Sequence, residues 1–178
     1  TLPTSVKDAI SANLSVLKTP TALRLEDGSF WGWEGCSETA GSCYGTCQHV
    51  WNYAYAMPYL FPRLERSIRE NTLNYALLDS GAASFRMNLP LKKEMSTGRA
   101  CVDGQMGEII KFYREWKFSG DDEWLKKHSE SIFKMLEYAW SEENPDKWDR
   151  DMDGIMEGRQ HHTLDMELFG PSSWLQGF

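Results

Sequence analysis

Four short stretches of this chain carry side chains that do chemistry. In Phe30-Trp31-Gly32-Trp33-Glu34-Gly35 a single carboxylate stands among two indoles and a phenyl ring. Burying a carboxylate without a partner is costly. Glu34 is therefore either an exposed residue at a strand end or a carboxylate kept for use in an aromatic cleft, and perturbed carboxylates mark functional sites. Trp31 and Trp33 offer apolar faces of the kind that stack on the C–H faces of sugar rings. In Cys47-Gln48-His49-Val50-Trp51-Asn52-Tyr53, at a helix start, His49, Asn52 and Tyr53 share one helical face. They are either a satisfied core histidine with its neighbours or polar groups turned into a cleft beside Glu34. In Asp149-Arg150-Asp151-Met152-Asp153-Gly154, acidic residues at alternate positions precede a glycine, as at the start of an EF-hand loop. The twelfth position is Gln160 rather than a bidentate glutamate. A partial calcium site on Asp149, Asp151 and Asp153 and a turn held by Asx hydrogen bonds are both open. In His161-His162-Thr163-Leu164-Asp165-Met166-Glu167, two histidines, a threonine and two carboxylates lie within seven residues. This matches no common zinc spacing. If the stretch is extended, Thr163, Asp165 and Glu167 project to one side; otherwise it is a solvated polar loop.

Two carboxylates in aromatic, histidine-rich loops suit glycoside hydrolysis, where one attacks or stabilises the anomeric carbon and the other protonates the leaving oxygen. The elements that must hold them are mostly helices. Apolar positions 6, 10, 14, 16 and 17 predict a helix over 4–18. Residues 21–34 predict two short strands around Asp27-Gly28, and the glycine-rich stretch 35–47 a shaped loop. A helical pattern resumes at Thr46 and runs to Met57. Pro62 opens a helix over 63–78 whose apolar side is Leu64, Ile68, Leu73, Leu77 and Leu78. Residues 79–100 are irregular, with a strand at 83–89. A helix over 102–118 ends at Ser119-Gly120, and Asp121 caps another over 122–142, which Asn144-Pro145 stops. An acidic loop over 146–160 and a further segment over 161–178 follow. Long helices joined by loops that carry the polar chemistry predict a helical barrel or solenoid. No repeat at fixed period points to a solenoid.

Composition narrows the function. The 178 residues are 41 % hydrophobic and 13 % aromatic, enough for a packed core and too sticky for a disordered chain. Nineteen Lys and Arg against 26 Asp and Glu give a net charge of −7, which repels phosphate and speaks against nucleic-acid binding. No apolar run approaches the roughly 18 residues of a membrane span. The four cysteines, 36, 43, 47 and 101, are too few for a disulfide scaffold and are expected to be mostly buried thiols, with a Cys43–Cys47 disulfide as the alternative. The opening Thr-Leu-Pro-Thr reads as neither a start nor a signal peptide, and the closing Trp-Leu-Gln-Gly-Phe as a helix cut short, so a fragment is expected.

Three long motifs, WGWEGCSETAGSCYGTCQHVWNYAYAMPYLFPRLERSIRE, VDGQMGEIIKFYREWKFSGD and KWDRDMDGIMEGRQHHTLDMELFGPSSW, resemble in the same order the catalytic region of glycoside hydrolase family 116. That family includes bacterial β-glucosidases and the non-lysosomal glucosylceramidase, and the resemblance covers nearly the whole chain. It implies a mainly α fold: part of an (α/α)6 barrel with short β-hairpins in the helix-connecting loops. Residues 1–178 would be a partial catalytic domain, truncated at least at the C-terminus and lacking the parent protein's N-terminal β-sandwich domain. It implies a retaining β-glycosidase, most simply a β-glucosidase, acting on a carbohydrate or glycoconjugate with no required cofactor. Glu34 matches the family nucleophile and Asp165 the acid/base. Thr163 matches a residue that touches a sugar hydroxyl, and His49 falls near a glucose-binding aspartate. The alternatives are β-xylosidase or N-acetylglucosaminidase specificity, or a carbohydrate-binding homologue without turnover. The cellular compartment stays open.

Overall fold

The computed structural model describes residues 2–14, 21–32, 34–35, 41–43, 45–96, 98–164 and 166–177, with backbone alone at 13–14, 34–35 and 41–43. The described part is mainly helical, with five α-helices and small antiparallel pairings between them. Helix α1 spans Thr4–Leu14, and the carbonyl of Pro3 accepts from the N–H groups of Val6 and Lys7 at its first turn. The rest of the helix expected over 4–18 lies outside the described residues. Strands β1 (Ala22–Arg24) and β2 (Phe30–Gly32) form the expected hairpin, with Leu23 opposite Trp31. Its turn is closed by the Asp27 carboxylate, which accepts the Ser29 N–H at 2.8 Å.

The loop expected over 35–47 contains more pairing than composition showed. Strands β3 (Glu34–Gly35) and β4 (Gly41–Cys43) pair with each other, and β5 (Thr46–Cys47) pairs across the molecule with β6 (Arg86–Met87). The helical pattern read from Thr46 is thereby overturned. Thr46 is held extended because its hydroxyl both accepts from the Gly32 N–H and donates to the Gly32 carbonyl, at 3.1 and 3.0 Å. Only a 3-10 turn at Val50–Asn52 and the short helix α2 (Ala56–Leu60) remain. The strand expected over 83–89 shrinks to β6 and a bridge between Leu77 and Ala83.

Helix α3 (Pro62–Asn71) begins with proline at its first turn and continues as a π turn over Thr72–Ala76, closed by the Leu77 N–H on the Thr72 carbonyl at 2.9 Å. Leu77 is extended, so the helix stops short of 78. Its buried face is not purely aliphatic: Glu65 and Arg69 are buried with Ile68. Helix α4 (Val102–Ser119) ends on Gly120, whose φ of 64° is the left-handed geometry that glycine adopts without strain. Asp121 then caps α5 (Asp122–Glu137) by accepting the Trp124 N–H at 3.0 Å. This helix stops before 142, because Asn144 donates its side-chain amide to the carbonyls of Tyr138 and Ala139, satisfying the last turn. Strands β7 (Gln160–His161) and β8 (Glu167–Leu168) form a last hairpin.

The main core gathers Val102, Met106, Tyr138, Ala139, Trp148 and Leu175, and so fastens the acidic loop region and the last segment to α4. A second cluster of Phe30, Met57 and Ile68 seats the first hairpin on α3. Cys47 and Cys101 are buried, as expected; the Cys36 and Cys43 side chains, and with them the Cys43–Cys47 alternative, lie outside the described residues. Among the described residues no helix is long and apolar enough to cross a membrane.

Candidate functional site

Three loop regions meet at the N-terminus of α4. The first is β5 and the turn after it. It is tied to β2 by the Thr46–Gly32 hydrogen bonds and carries His49 inward. The second is the start of α4, where Cys101 precedes the helix and Asp103 lies in its first turn. The third is the β7–β8 turn, which carries Thr163. Asp103 is the residue on which they converge. One carboxylate oxygen accepts both the Gly104 N–H and the Cys101 thiol, each at 2.8 Å, and the other accepts the Thr163 N–H at 3.0 Å. His49 Nδ1 lies 3.3 Å from the Cys101 sulfur and 3.8 Å from Asp103. The Asp103 carbonyl accepts the Asn52 amide at 2.9 Å.

Two glycines in α4 allow the turn after β5 to come this close. A Cβ at Gly104 would lie 3.1 Å from the Gln48 side chain, and one at Gly107 would lie 2.4 Å from the Asn52 amide. Phe85 lines the cluster with its ring against both His49 and His161. Tyr53 closes the outer side. It is 53 % exposed, yet its hydroxyl pKa is raised, first by burial of that end of the side chain and further by Asp103 and Cys101, with a hydrogen bond from Thr163 acting the other way. Burial pushes the Cys101 thiol well above its ordinary value, and the adjacent Asp103 carboxylate adds to this. Cys101 is a protonated donor here, not a nucleophile.

Of the residues expected to bind substrate, the structure brings His49 and Thr163 together through Asp103, across more than a hundred positions of sequence. His49 is only 3 % exposed and lies beneath the surface that Thr163 and Tyr53 share. Trp31 is 5 % exposed and donates its indole N–H to the Met87 carbonyl at 2.8 Å, so it anchors β2 in the interior. Trp33, Asp165 and the Glu34 side chain lie outside the described residues; the Glu34 backbone pairs with Cys43. Thr163 and Leu164 form a turn rather than an extended run, with the Leu164 N–H on His162 Nδ1 at 3.1 Å. Glu167 does not join Thr163. It is bound by Arg99, by Arg159 at 2.8 Å and by His161 at 3.1 Å, and Arg99 above all holds its carboxyl down to about 2.

The acidic loop brings Asp149, Asp151 and Asp153 together, with one donor oxygen of each within 4.8 Å of the others. Asp149 is buried and accepts the N–H groups of Asp153 and Gly154, both at 3.1 Å, while Asp153 accepts from Ile155 at 2.7 Å. Asx hydrogen bonds therefore shape the loop, and two exposed carboxylates stand over it.

Asp103 and Cys101 were not among the residues picked from sequence. The signal that could have found them is the pair of glycines three apart inside a strongly helical stretch. Such glycines mark a close approach of another segment, and Asp103 immediately precedes the first. Set against protein-family models and against curated proteins, the sequence matches none.

Proposed function

We propose that this chain is part of the catalytic domain of a retaining β-glycosidase of the family 116 type, acting on β-glucosides, with Glu34 as nucleophile and Asp165 as acid/base. The observation that supports it most is the convergence of three distant loops on Asp103. The Gly32–Thr46 bonds tie the strand leading into Glu34 to the strand leading into His49, and Asp103 ties His49 to the turn that leads into Asp165. A retaining pair needs carboxyl groups about 5–5.5 Å apart, brought from separate elements. Helices α3, α4 and α5, with their polar loops, fit a portion of an (α/α)6 barrel. Thr163 and Tyr53 supply hydroxyls to a sugar, while His49 and Trp31, being buried, hold the loops from beneath. Asp149, Asp151 and Asp153 hold a structural calcium ion that stiffens the loop before the acid/base.

In the mechanism proposed, Glu34 attacks the anomeric carbon while Asp165 protonates the departing oxygen. Water, deprotonated by Asp165, then releases the sugar with retained configuration. The test is hydrolysis of a chromogenic β-glucoside by the natural reading frame that contains this chain. Glu34→Ala should abolish turnover, and azide should restore it as the α-glycosyl azide. Asp165→Ala should spare substrates with acidic leaving groups in the first step and yield the β-glycosyl azide. Sugar binding without turnover in the wild type would favour the inactive carbohydrate-binding alternative. That reading draws on Leu164, which is 61 % exposed beside Thr163 and brings no polar group to the site. A melting temperature unchanged by excess calcium chelator would remove calcium from the acidic loop.

A further inference from the structure

The cluster under the proposed sugar site has a composition that glycoside hydrolysis does not use: an imidazole, a thiol and a carboxylate, all buried. Their donor atoms are spaced at 3.3 Å from His49 Nδ1 to Cys101 Sγ, 3.8 Å from His49 Nδ1 to Asp103 Oδ1, and 2.8 Å from Cys101 Sγ to Asp103 Oδ1. A tetrahedral zinc centre, with zinc–sulfur about 2.3 Å and zinc–nitrogen or zinc–oxygen about 2.0–2.2 Å, has donor–donor edges of roughly 3.3–3.6 Å. The observed edges straddle that range.

Charge points the same way. Asp103 is 0 % exposed, and its ion-pair partner among the described residues is His49 alone. A thiolate and a carboxylate around a dication leave a neutral buried centre, whereas a buried carboxylate without a cation is costly. The surroundings are those that orient metal ligands: the Thr163 and Gly104 N–H groups hold the two Asp103 oxygens, and Phe85 packs on the His49 ring. The carbonyl of His161 lies 3.3 Å from the Cys101 sulfur and adds an oxygen to the cluster.

We propose that His49, Cys101 and Asp103 form a buried mononuclear site for a thiophilic divalent metal of the zinc class, which locks the turn after β5, the start of α4 and the β7–β8 turn together. As the metal–sulfur bond forms, the Cys101 thiol proton leaves to solvent, and no electron is transferred. The ligand set of one nitrogen, one sulfur and one oxygen separates this site from the all-oxygen acidic loop, which suits a hard cation. The proposal goes beyond the glycosidase reading and does not depend on it.

Metal content and cobalt substitution test it on the intact chain. Wild type purified from zinc-supplemented medium should carry about one zinc per chain. Its cobalt derivative should show a thiolate-to-cobalt charge-transfer band and the intense visible bands of a tetrahedral ion. Cys101→Ser should lower bound metal by about tenfold or more and abolish the charge-transfer band. Asp151→Asn combined with Asp153→Asn should keep both signals. Should Cys101→Ser not fold, a variant with Cys36, Cys43 and Cys47 all changed to serine leaves Cys101 as the only thiol, and the band must persist there. A folded wild type with no cobalt–thiolate band, or a band that survives in Cys101→Ser, overturns the proposal.

Discussion

The two halves of α4 bury charge in opposite ways. From its seventh residue onward, Glu108, Lys111 and Glu115 face α3, where Glu65 and Arg69 are buried beside them. Glu108 meets Arg69 at 2.9 Å and Lys111 at 3.0 Å, while Arg114 reaches both Glu65 and Glu115 at 2.8 Å. Three carboxylates and three cations cancel. Burial pushes the Glu108 carboxyl up, but Arg69 and Lys111 overcome it and hold it below its ordinary value; Glu65 is raised, chiefly by burial. At the first half, Asp103 is just as buried, but backbone N–H groups, a thiol and one imidazole surround it. A carboxylate cancelled by fixed cations is scaffolding. A carboxylate held by backbone dipoles, a thiol and an imidazole has no fixed cation among the described residues and is open to a metal or ligand.

The comparison breaks first at Glu108. Glu108→Ala leaves Arg69 and Lys111 buried without their shared partner and should cost about 3–5 kcal/mol in denaturant unfolding. Replacing Glu108 and Lys111 together by Leu and Met, which keeps the charges balanced and leaves Arg69 with Glu65, should recover most of that loss. A loss below about 1 kcal/mol in the single variant would mean that water screens the network. Gly107→Ala probes the other half: its methyl would fall 2.4 Å from the Asn52 amide, and overpacking of this kind costs about 1–3 kcal/mol. Adding Asn52→Ala removes the obstructing amide, so the double variant should lose less than the sum of the two singles.

A gentler probe is pH. Burial lowers the Lys111 ammonium to about 8, although Glu108 opposes the shift. Between about pH 8 and the usual lysine pKa near 10.4 the unfolded chain binds a proton that the folded chain has released, so this group's contribution to stability rises with pH. Measured against Lys111→Met, wild type should gain at most about 1.4 kcal/mol per pH unit across that window. A flat difference would show that Lys111 keeps its ordinary pKa. The smallest effect is expected at the half-exposed β7–β8 hairpin, where Arg99→Ala should cost under about 1 kcal/mol at neutral pH. Glu167 is depressed to about 2, so the stabilisation is present above the ordinary carboxylate pKa and should fade as pH drops toward 2.

The long helices and their ends were legible in the sequence because local signals decide them. Pro62 opens α3, Asp121 caps α5 through the Trp124 N–H, and Gly120 closes α4. The strands between 34 and 47 were not, since each is two or three residues long and exists through a partner elsewhere: β5 needs β6, forty positions on, and Thr46 needs Gly32. The apolar side of α3 was legible, with Ile68 and Leu77 buried, but Glu65 and Arg69 look like solvated residues until Glu108 and Arg114 stand opposite them. For the site, His49 and Thr163 were picked for their chemistry. In sequence Asp103 looks like any acid in the first turn of a helix, and only the fold shows that it joins the other two.

The π turn at Thr72–Ala76 acts as a length gauge. It holds one residue more than an α turn would. With that residue in place, Thr72 meets Glu108 of the charge network and Leu77 emerges in register with Ala83. Inserting a further residue there, where the turn already holds one more than an α turn, would rotate the downstream chain by about 100° against α3. Leu77 would leave its bridge, and the segment feeding β6, hence β5 and the site, would be misaimed. An insertion that a surface loop absorbs is barred in these five residues, although none of them belongs to the chemistry.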